Sequence, residues 1–130
     1  MAKIVQMSDS DGNVYPVSNS SGAGYCKMPD GTLIQWGRLS GITVNLTALG
    51  NSGLYGQTYV ANNGIVFPIA FANSSYFVTG SFQYSTGNAF PLSVAYNAQA
   101  TDHCFPSFFD AYARSGNDGR ITWLAIGRWK

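Results

Sequence analysis

Glutamate is absent from this 130-residue sequence, and charged residues of all kinds make up only 10% of it. Glu, Lys and Arg usually cover the exposed faces of helices, so their scarcity argues against a helical protein. With a net charge of +1 and no basic stripe, the chain lacks the electrostatic surface that binds nucleic acid or anionic lipid. No run approaches the roughly 18 apolar residues of a membrane span, and the N-terminus turns polar before a signal-peptide core forms. We therefore expect synthesis in the cytoplasm, with no nucleic-acid partner and no membrane insertion.

Cysteine and histidine are also scarce, because the chain contains only Cys26, Cys104 and His103. The two cysteines lie far apart without metal-type spacing, so we predict two free thiols, with a disulfide formed after release from the cell as the alternative. Zinc bound by these residues is disfavoured, because His103 and Cys104 would point to opposite faces of a strand and a fourth ligand is missing. We predict no metal site and no cofactor.

The same scarcity argues against an enzyme. A Ser-His-Asp or Cys-His site would have to use His103, and its neighbour Asp102 is expected to diverge from it on a strand. Of the six aspartates, four are explained as turn formers. Only Asp102 and Asp110 remain, and nothing in the pattern places them across a cleft as glycoside hydrolysis requires. We predict no catalytic residue.

The chain is rich instead in β-branched and aromatic residues, with aromatics at 15% and 15 glycines punctuating the sequence. This composition predicts an all-β domain of short strands joined by turns. The stretch Ile65 to Tyr84 consists of two apolar runs separated by turn formers, and it is predicted to be the central β-hairpin. Pro68 marks its first run as an edge strand or a bulge. Alternation in the second run predicts a core-facing row, which consists of Tyr76, Val78, Gly80, Phe82 and Tyr84.

Further strands follow from alternation and turn residues. The predicted elements are a hairpin of residues 4–7 and 14–17, a flexible Ser/Gly linker at 19–24, a hairpin of 25–28 and 32–38, strands at 42–46, 57–60, 92–96 and 105–114, a hairpin turn at 115–119 and a closing strand at 120–127. Residues 49–57 are predicted to be an exposed excursion. Trp36 is predicted to anchor the core.

A charge-poor, aromatic-rich surface with amide and hydroxyl groups has the chemistry to bind neutral sugars. Most aromatics are expected in the core, namely Trp36, Phe67, Phe71, Phe82 and Trp123. Aromatic and imidazole side chains nearer to loops are the predicted ligand-binding residues, and these are Tyr55, Tyr59, Tyr84 and His103. The excess of apolar residues over what one small core can hide also indicates burial between subunits.

Three motifs, in this order, carry a family resemblance. Gly24 to Gly37 reads GYCKMPDGTLIQWG, Phe67 to Phe71 reads FPIAF, and Trp123 to Gly127 reads WLAIG. Together they resemble the C-terminal receptor-binding domains of bacteriophage and prophage tail fibres over about residues 24–130. Ala72 stands where the family has Pro, so the turn that follows Phe71 is expected to differ in shape.

The resemblance implies an antiparallel β-sandwich that assembles as a homotrimer at a fibre tip, similar to trimeric H-type lectins. Residues 21–130 would form this domain, and residues 1–20 an N-terminal leader and linker that connects to the rest of the phage tail. The implied function is non-catalytic adhesion of the virion to bacterial surface polysaccharide or another receptor. A structural tail or baseplate component without glycan binding is the alternative, and a fibre-tip depolymerase is a further one.

Overall fold

The computed structural model describes residues 7–8, 10–11, 14–15, 17–20, 22–86, 92–97 and 100–130. Within these ranges the chain forms strands and a single turn of 3-10 helix at Ala61–Asn63. The strands are Met7–Ser8 (β1), Val14–Tyr15 (β2), Val17–Ser20 (β3), Ala23–Lys27 (β4), Thr32–Asn45 (β5), Thr47–Ala48 (β6), Tyr55–Thr58 (β7), Ile65–Val66 (β8), Phe77–Tyr84 (β9), Ser93–Asn97 (β10), His103–Asp110 (β11) and Ser115–Arg128 (β12).

Two five-stranded antiparallel sheets form the body of the domain. The first sheet has the order β3-β4-β5-β12-β9, and the second has the order β10-β11-β7-β6 with β8 also paired to β11. The sheets pack face to face, with Phe82 of the first touching Phe108 of the second at 5.4 Å between ring centroids. β1 and β2 form a separate small hairpin, as predicted. The expected all-β antiparallel fold is confirmed.

The long strand β5 has one buried and one outward face. Leu33, Gln35 and Gly37 are buried and face the second sheet, while Ile34 and Trp36 lie half-buried on the outer face. The prediction that Trp36 anchors the core is therefore wrong. Alternation along the strand predicts two faces but does not say which one is buried. Hydrophobicity alone favours burial of the face with Ile34 and Trp36, whereas the structure buries the face with Gln35.

Gln35 is tolerated inside because both ends of its amide are paired. Its Nε2 donates to the Ile69 carbonyl at 2.8 Å, and its Oε1 accepts from the Ile69 N–H at 3.0 Å. The segment that carries Ile69 belongs to no strand, so its backbone needs partners from elsewhere. The first and second motifs of the sequence thus meet through one side-chain amide.

The third motif, Trp123 to Gly127, packs against the first two motifs. Trp123 lies over Gly37 so tightly that a Cβ there would meet the indole at 2.7 Å. The Trp123 ring also packs edge-on against Phe67 at 5.6 Å. Farther along β12, a Cβ on Gly127 would meet the Phe71 ring at 2.7 Å. The motifs that carry the family resemblance therefore pack against one another and build the core.

The predicted central hairpin at Ile65 to Tyr84 is wrong in its pairing, although its second strand is correct. β8 pairs with β11 in the second sheet, whereas β9 pairs with β12 in the first. The Pro68-containing segment between them crosses from one sheet to the other. β9 does turn the expected row toward the core, with its alternate residues exposed.

Two predicted connections also differ. The Ser/Gly stretch at 19–24 is no flexible linker where it is described, because Ser20 pairs with Ala23 across a turn and both lie in the first sheet. Residues 115–119, which were predicted to form a turn, are instead the first part of β12, where the pairing with β5 is irregular. The chain reverses its direction earlier, between Asp110 and Ser115. In both places small polar residues adopted strand conformation because a neighbouring strand supplied partners.

The strand directions give the sandwich two distinct ends. The chain enters the first sheet at Val17, which pairs with Cys26 beside the start of β5 and near the end of β12. We call this the entry end. At the opposite, far end lie the end of β5, the start of β12 and the reversal after Asp110.

Candidate functional site

The outer face of the second sheet carries a row of aromatic and polar side chains along β11. Cys104, Pro106 and Phe108 are buried beneath the sheet, so the intervening residues point outward and are half-buried. We call these outward residues the β11 strip, which consists of His103, Phe105, Ser107 and Phe109. The strip runs from the entry end, at His103, to the far end, at Phe109.

Neighbouring strands extend the strip on both sides. On β10, exposed Ser93, Ala95 and Asn97 stand opposite Phe109, Ser107 and Phe105, and paired residues share a face. On β7, Thr58 stands opposite Ser107, and their hydroxyl oxygens are 2.8 Å apart. The strip therefore alternates aromatic rings with hydroxyl and amide groups.

The loop beside Phe105 adds two more amides. Asn62 and Asn63 are exposed and both adopt left-handed backbone conformations, with φ of 52° and 61°. Asn accepts this conformation at lower cost than most residues. The next residue, Gly64, also has positive φ, and a Cβ on it would meet the Phe105 ring at 2.9 Å.

A depression of about 370 Å³ lies at the far end of the strip. Among the described residues it is lined by Leu54, Leu92, Ser93, Phe109, Asp110 and Ala111. Asp110 accepts a hydrogen bond from Arg114 Nε at 2.8 Å, and this bond holds the pKa of the carboxyl below its usual value. The charge at this end of the strip is thus paired.

A hydrogen-bonded pair of side chains also lies at the entry end. His103 Nδ1 lies 2.7 Å from Asp102 Oδ1, although we expected these neighbours to diverge. They meet because Asp102 precedes β11 and is not bound by strand alternation. The His103 ring in turn contacts Phe105 edge-on, at 5.2 Å between centroids.

Comparison with known families decides what kind of domain this is. The family described as "Putative tail fiber protein gp53-like, C-terminal" matches residues 27–128. The chain belongs to this tail fibre family. The resemblance read from the sequence is confirmed, and the chain is a tail fibre C-terminal domain, a component of phage-type tails. Comparison with curated proteins gave no match.

Solved structures of similar fold come from pyocin fibres. The tail fibre domain matches a P. aeruginosa R1 pyocin fibre comprising its C-terminal residues 323–701 with a TM-score of 0.56 and 22% identity, over 87% of this chain and 28% of that one. An N-truncated R1-type pyocin tail fibre matches with a TM-score of 0.56 and 21% identity, over 87% of this chain and 84% of that one. At these identities the likeness shows a shared fold.

Three of the four predicted ligand residues of the tail fibre domain face inward. Tyr55, Tyr59 and Tyr84 are half-buried and pack against the core, and burial raises the pKa of Tyr84. Tyr55 belongs to β7 instead of an exposed excursion, which is confined to residues 49–54. Only His103 lies on the β11 strip. Phe105 and Phe109, which the sequence placed in a strand without assigning its outward face, were not among the predicted ligand residues.

Tyr55 and Tyr84 nevertheless share the far end of the tail fibre domain. Tyr55 stands opposite Asp110 in the sheet, and Tyr84 lies within the electrostatic influence of Asp110 and Arg114. Tyr59 lies beside β11, where its N–H donates to the Pro106 carbonyl at 2.9 Å. The four predicted residues therefore do not form one cluster in the structure.

Part of the outer face of the first sheet is apolar in contrast. Phe77 is 81% exposed, and Leu124 and Ile126 beside it are 39% and 40% exposed. Ile126 stands opposite Phe77 on one side and Ile34 on the other, and Leu124 stands opposite Trp36. We call these five residues the apolar face.

Cysteine and metal chemistry add no further site in the described part of the chain. Cys26 and Cys104 are both free thiols, and burial raises the pKa of Cys104 to about 12. No group of three or more His, Cys, Asp or Glu side chains is placed to hold a metal ion among the described residues. Within the same ranges, no helix combines the length and apolar character needed to cross a bilayer.

Proposed function

We propose that this tail fibre domain is a non-catalytic adhesion module that binds carbohydrate on the bacterial surface through the β11 strip. The observation that carries the proposal is the alternation of Phe105 and Phe109 with the Ser107–Thr58 hydroxyl pair on an outward sheet face. Aromatic faces pack on the C–H patches of pyranose rings, while hydroxyl and amide groups exchange hydrogen bonds with sugar hydroxyls. Neither interaction requires a buried charge.

The path of the chain supports a receptor-binding orientation. The N-terminal segment joins the first sheet at the entry end, so a connection to the rest of the tail would lie on that side. The strip leads away from this side and ends at the far-end depression. A surface in this position is free to meet the bacterium.

The positions of the acidic residues support a non-catalytic role. Asp102 and Asp110 flank β11 at opposite ends, and a strand of eight residues spans roughly 26 Å. Glycosidases place their two carboxyl groups only about 5–9.5 Å apart. Each aspartate is also engaged locally, Asp102 with His103 and Asp110 with Arg114.

The apolar face supports self-association of the domain, and the assembly that we propose is a homotrimer. A monomer rarely exposes several large apolar side chains in one continuous row, and burial between subunits would remove them from water. β9, which carries Phe77, also contains no charged residue or proline that would protect a free sheet edge. Three strips on one rigid tip would gain avidity from weak individual sites.

An array of bacterial surface polysaccharides tests the adhesion proposal. Lipopolysaccharides, capsular polysaccharides and wall polysaccharides from a broad set of Gram-negative and Gram-positive bacteria would be immobilised and probed with the labelled domain. We expect retention on one or a few of them without release of reducing ends. Retention on none would favour the structural tail component, and release of reducing ends would favour the depolymerase.

Light scattering after size exclusion tests the assembly. We expect a trimer at micromolar concentration, and we expect Phe77→Asp to dissociate it because the substitution puts a charge into the apolar face. Val60→Asp is the matched control, since Val60 is 63% exposed but lies outside the apolar face. A wild-type monomer, or equal dissociation by both variants, would contradict the proposed interface.

A further inference from the structure

We infer that the β11 strip binds an internal stretch of an unbranched, uncharged polysaccharide chain, in preference to a terminal sugar. The inference rests on the proposed function and specifies its ligand. It follows from three properties of the strip: its length, its open shape and its distribution of charge.

The length of the strip exceeds a single sugar ring. Phe105 and Phe109 are four residues apart on one face of a strand, which separates them by about 13 Å. Ser107 lies midway and shares its hydroxyl contact with Thr58. The distance between Phe105 and Phe109 is more than one sugar unit, so the two platforms would stack on two units of one chain that are separated by at least one further unit beside Ser107.

The shape of the strip is open along its axis. Its flanking residues Ser93, Ala95, Asn97 and Thr58 are all exposed, and none of them forms a wall across it. At the entry end, Val66 stands opposite His103 and is 57% exposed. A terminal sugar is usually held in an enclosing pocket, whereas a sheet face of this form lets a chain continue beyond both platforms.

The charges lie only at the two ends of the strip. Between Asp102 and Asp110 neither β11 nor its neighbours β7 and β10 contain an acidic or basic residue other than His103. Both aspartates are paired, with His103 and with Arg114. An anionic polysaccharide would find no lysine or arginine along the strip, so a neutral chain that offers hydroxyl and acetamido groups fits best.

The two ends of the strip would contact the units that flank the two stacked units. The depression next to Phe109 has room for a further unit or a small substituent. Beside Phe105, the exposed amides of Asn62 and Asn63 can pair with hydroxyls at the edge of the chain. Affinity should therefore increase with the number of units until the strip is filled.

A fragment series tests the inference. The polysaccharide that the array retains would be partially hydrolysed, and its fragments of one to six units would be titrated calorimetrically against the intact domain. We expect no measurable binding of the single unit, a rise of at least tenfold up to three or four units, and a plateau beyond. Fragments are monovalent, so the result does not depend on avidity.

Matched variants locate the contact. Phe105→Ala and Phe109→Ala should each weaken the longest fragment by about tenfold, because each removes one aromatic stacking contact. Thr58→Val keeps the shape of an exposed strand residue and removes one hydroxyl, and it should weaken the same fragment without changing the thermal midpoint. Tyr112→Ala is the control, since Tyr112 is 65% exposed on the turn outside the strip.

The outcomes separate the inference from the proposed function. Full affinity for a single unit, or unchanged binding by Phe105→Ala, Phe109→Ala and Thr58→Val in folded protein, would overturn the inference while adhesion stands. If Tyr112→Ala lowered the affinity for the longest fragment as much as Phe109→Ala does, the binding site would lie at the far-end turn, and the inference would again be overturned. Retention on no polysaccharide of the array would overturn both.

Discussion

Replacing Gln35 by Met tests the pair of hydrogen bonds between Gln35 and Ile69, which connects the first and second sequence motifs. The substitution keeps the length of the side chain and removes the amide. The N–H and C=O of Ile69, which now pair with Gln35 at 3.0 and 2.8 Å, would then lose their partners. Gln35 itself is fully buried, so no water takes the place of its amide.

The magnitude follows from the two orphaned backbone groups. Each unsatisfied buried polar group costs about 1–3 kcal/mol, so the pair costs about 2–6 kcal/mol. Ile69 is only half-buried, and partial access of water to its backbone places the expected loss in the lower half, at about 2–4 kcal/mol. With an m-value of about 2 kcal/mol per molar urea, the midpoint should fall by about 1–2 M.

Urea unfolding followed by tryptophan fluorescence measures this loss. Gln83→Met is the matched control, because Gln83 is exposed and its side-chain oxygen accepts from the exposed Arg120 Nε at 3.0 Å, so its effect should stay within about 0.5 kcal/mol. Gln35→Glu should be less stable than wild type at pH 7 and recover partly near pH 4, because a buried carboxyl has a raised pKa and its protonated form can again donate to Ile69. A Gln35→Met midpoint within 0.2 M of wild type would refute the reasoning.

Two further predictions concern the core. Gly37→Ala should cost about 1–3 kcal/mol in urea unfolding, because the new Cβ would overlap the Trp123 indole, which it meets at 2.7 Å; an unchanged midpoint would show that the indole moves freely. Stability should be constant between about pH 7 and pH 9 and fall as the pH rises toward 12, since burial raises the pKa of Cys104, Tyr76 and Tyr96 to about 12 and the unfolded chain releases these protons first. Between its pKa in the unfolded chain and its pKa in the folded domain, each group lowers the free energy of unfolding by about 1.4 kcal/mol per pH unit. Cys104→Ala should therefore reduce the loss of stability between about pH 9 and pH 11. Equal urea midpoints at pH 8 and pH 11 would contradict this assignment.

The location of the family motifs has a consequence for function. Gln35, Gly37, Trp123 and Gly127 hold the sheets and the crossing segment together and lie away from the β11 strip. Phe105 and Phe109 lie in none of the three motifs. Substitutions on the β11 strip would therefore leave the contacts among the three motifs intact, which would allow one fold to bind different surfaces.

The sequence by itself determined the class of the fold and most of the strands. The absence of Glu, the alternation of apolar and polar residues and the Pro-Asp-Gly turn are local signals, and strand formation depends on them directly. The core-facing row of β9 was also predicted correctly, because it depends on alternation within one segment.

Tertiary structure alone decided which strands pair and which face of each is buried. The run at Ile65 and the strand that ends at Tyr84 are neighbours in sequence, yet they belong to different sheets because each found a better partner farther along the chain. Trp36 points outward because the neighbouring Gln35 is buried, where its amide forms hydrogen bonds with the backbone of Ile69. That contact depends on a residue 34 positions away in the sequence. Pairing and burial are set by such long-range contacts, so the candidate site on β11 became visible only once the two sheets were in place.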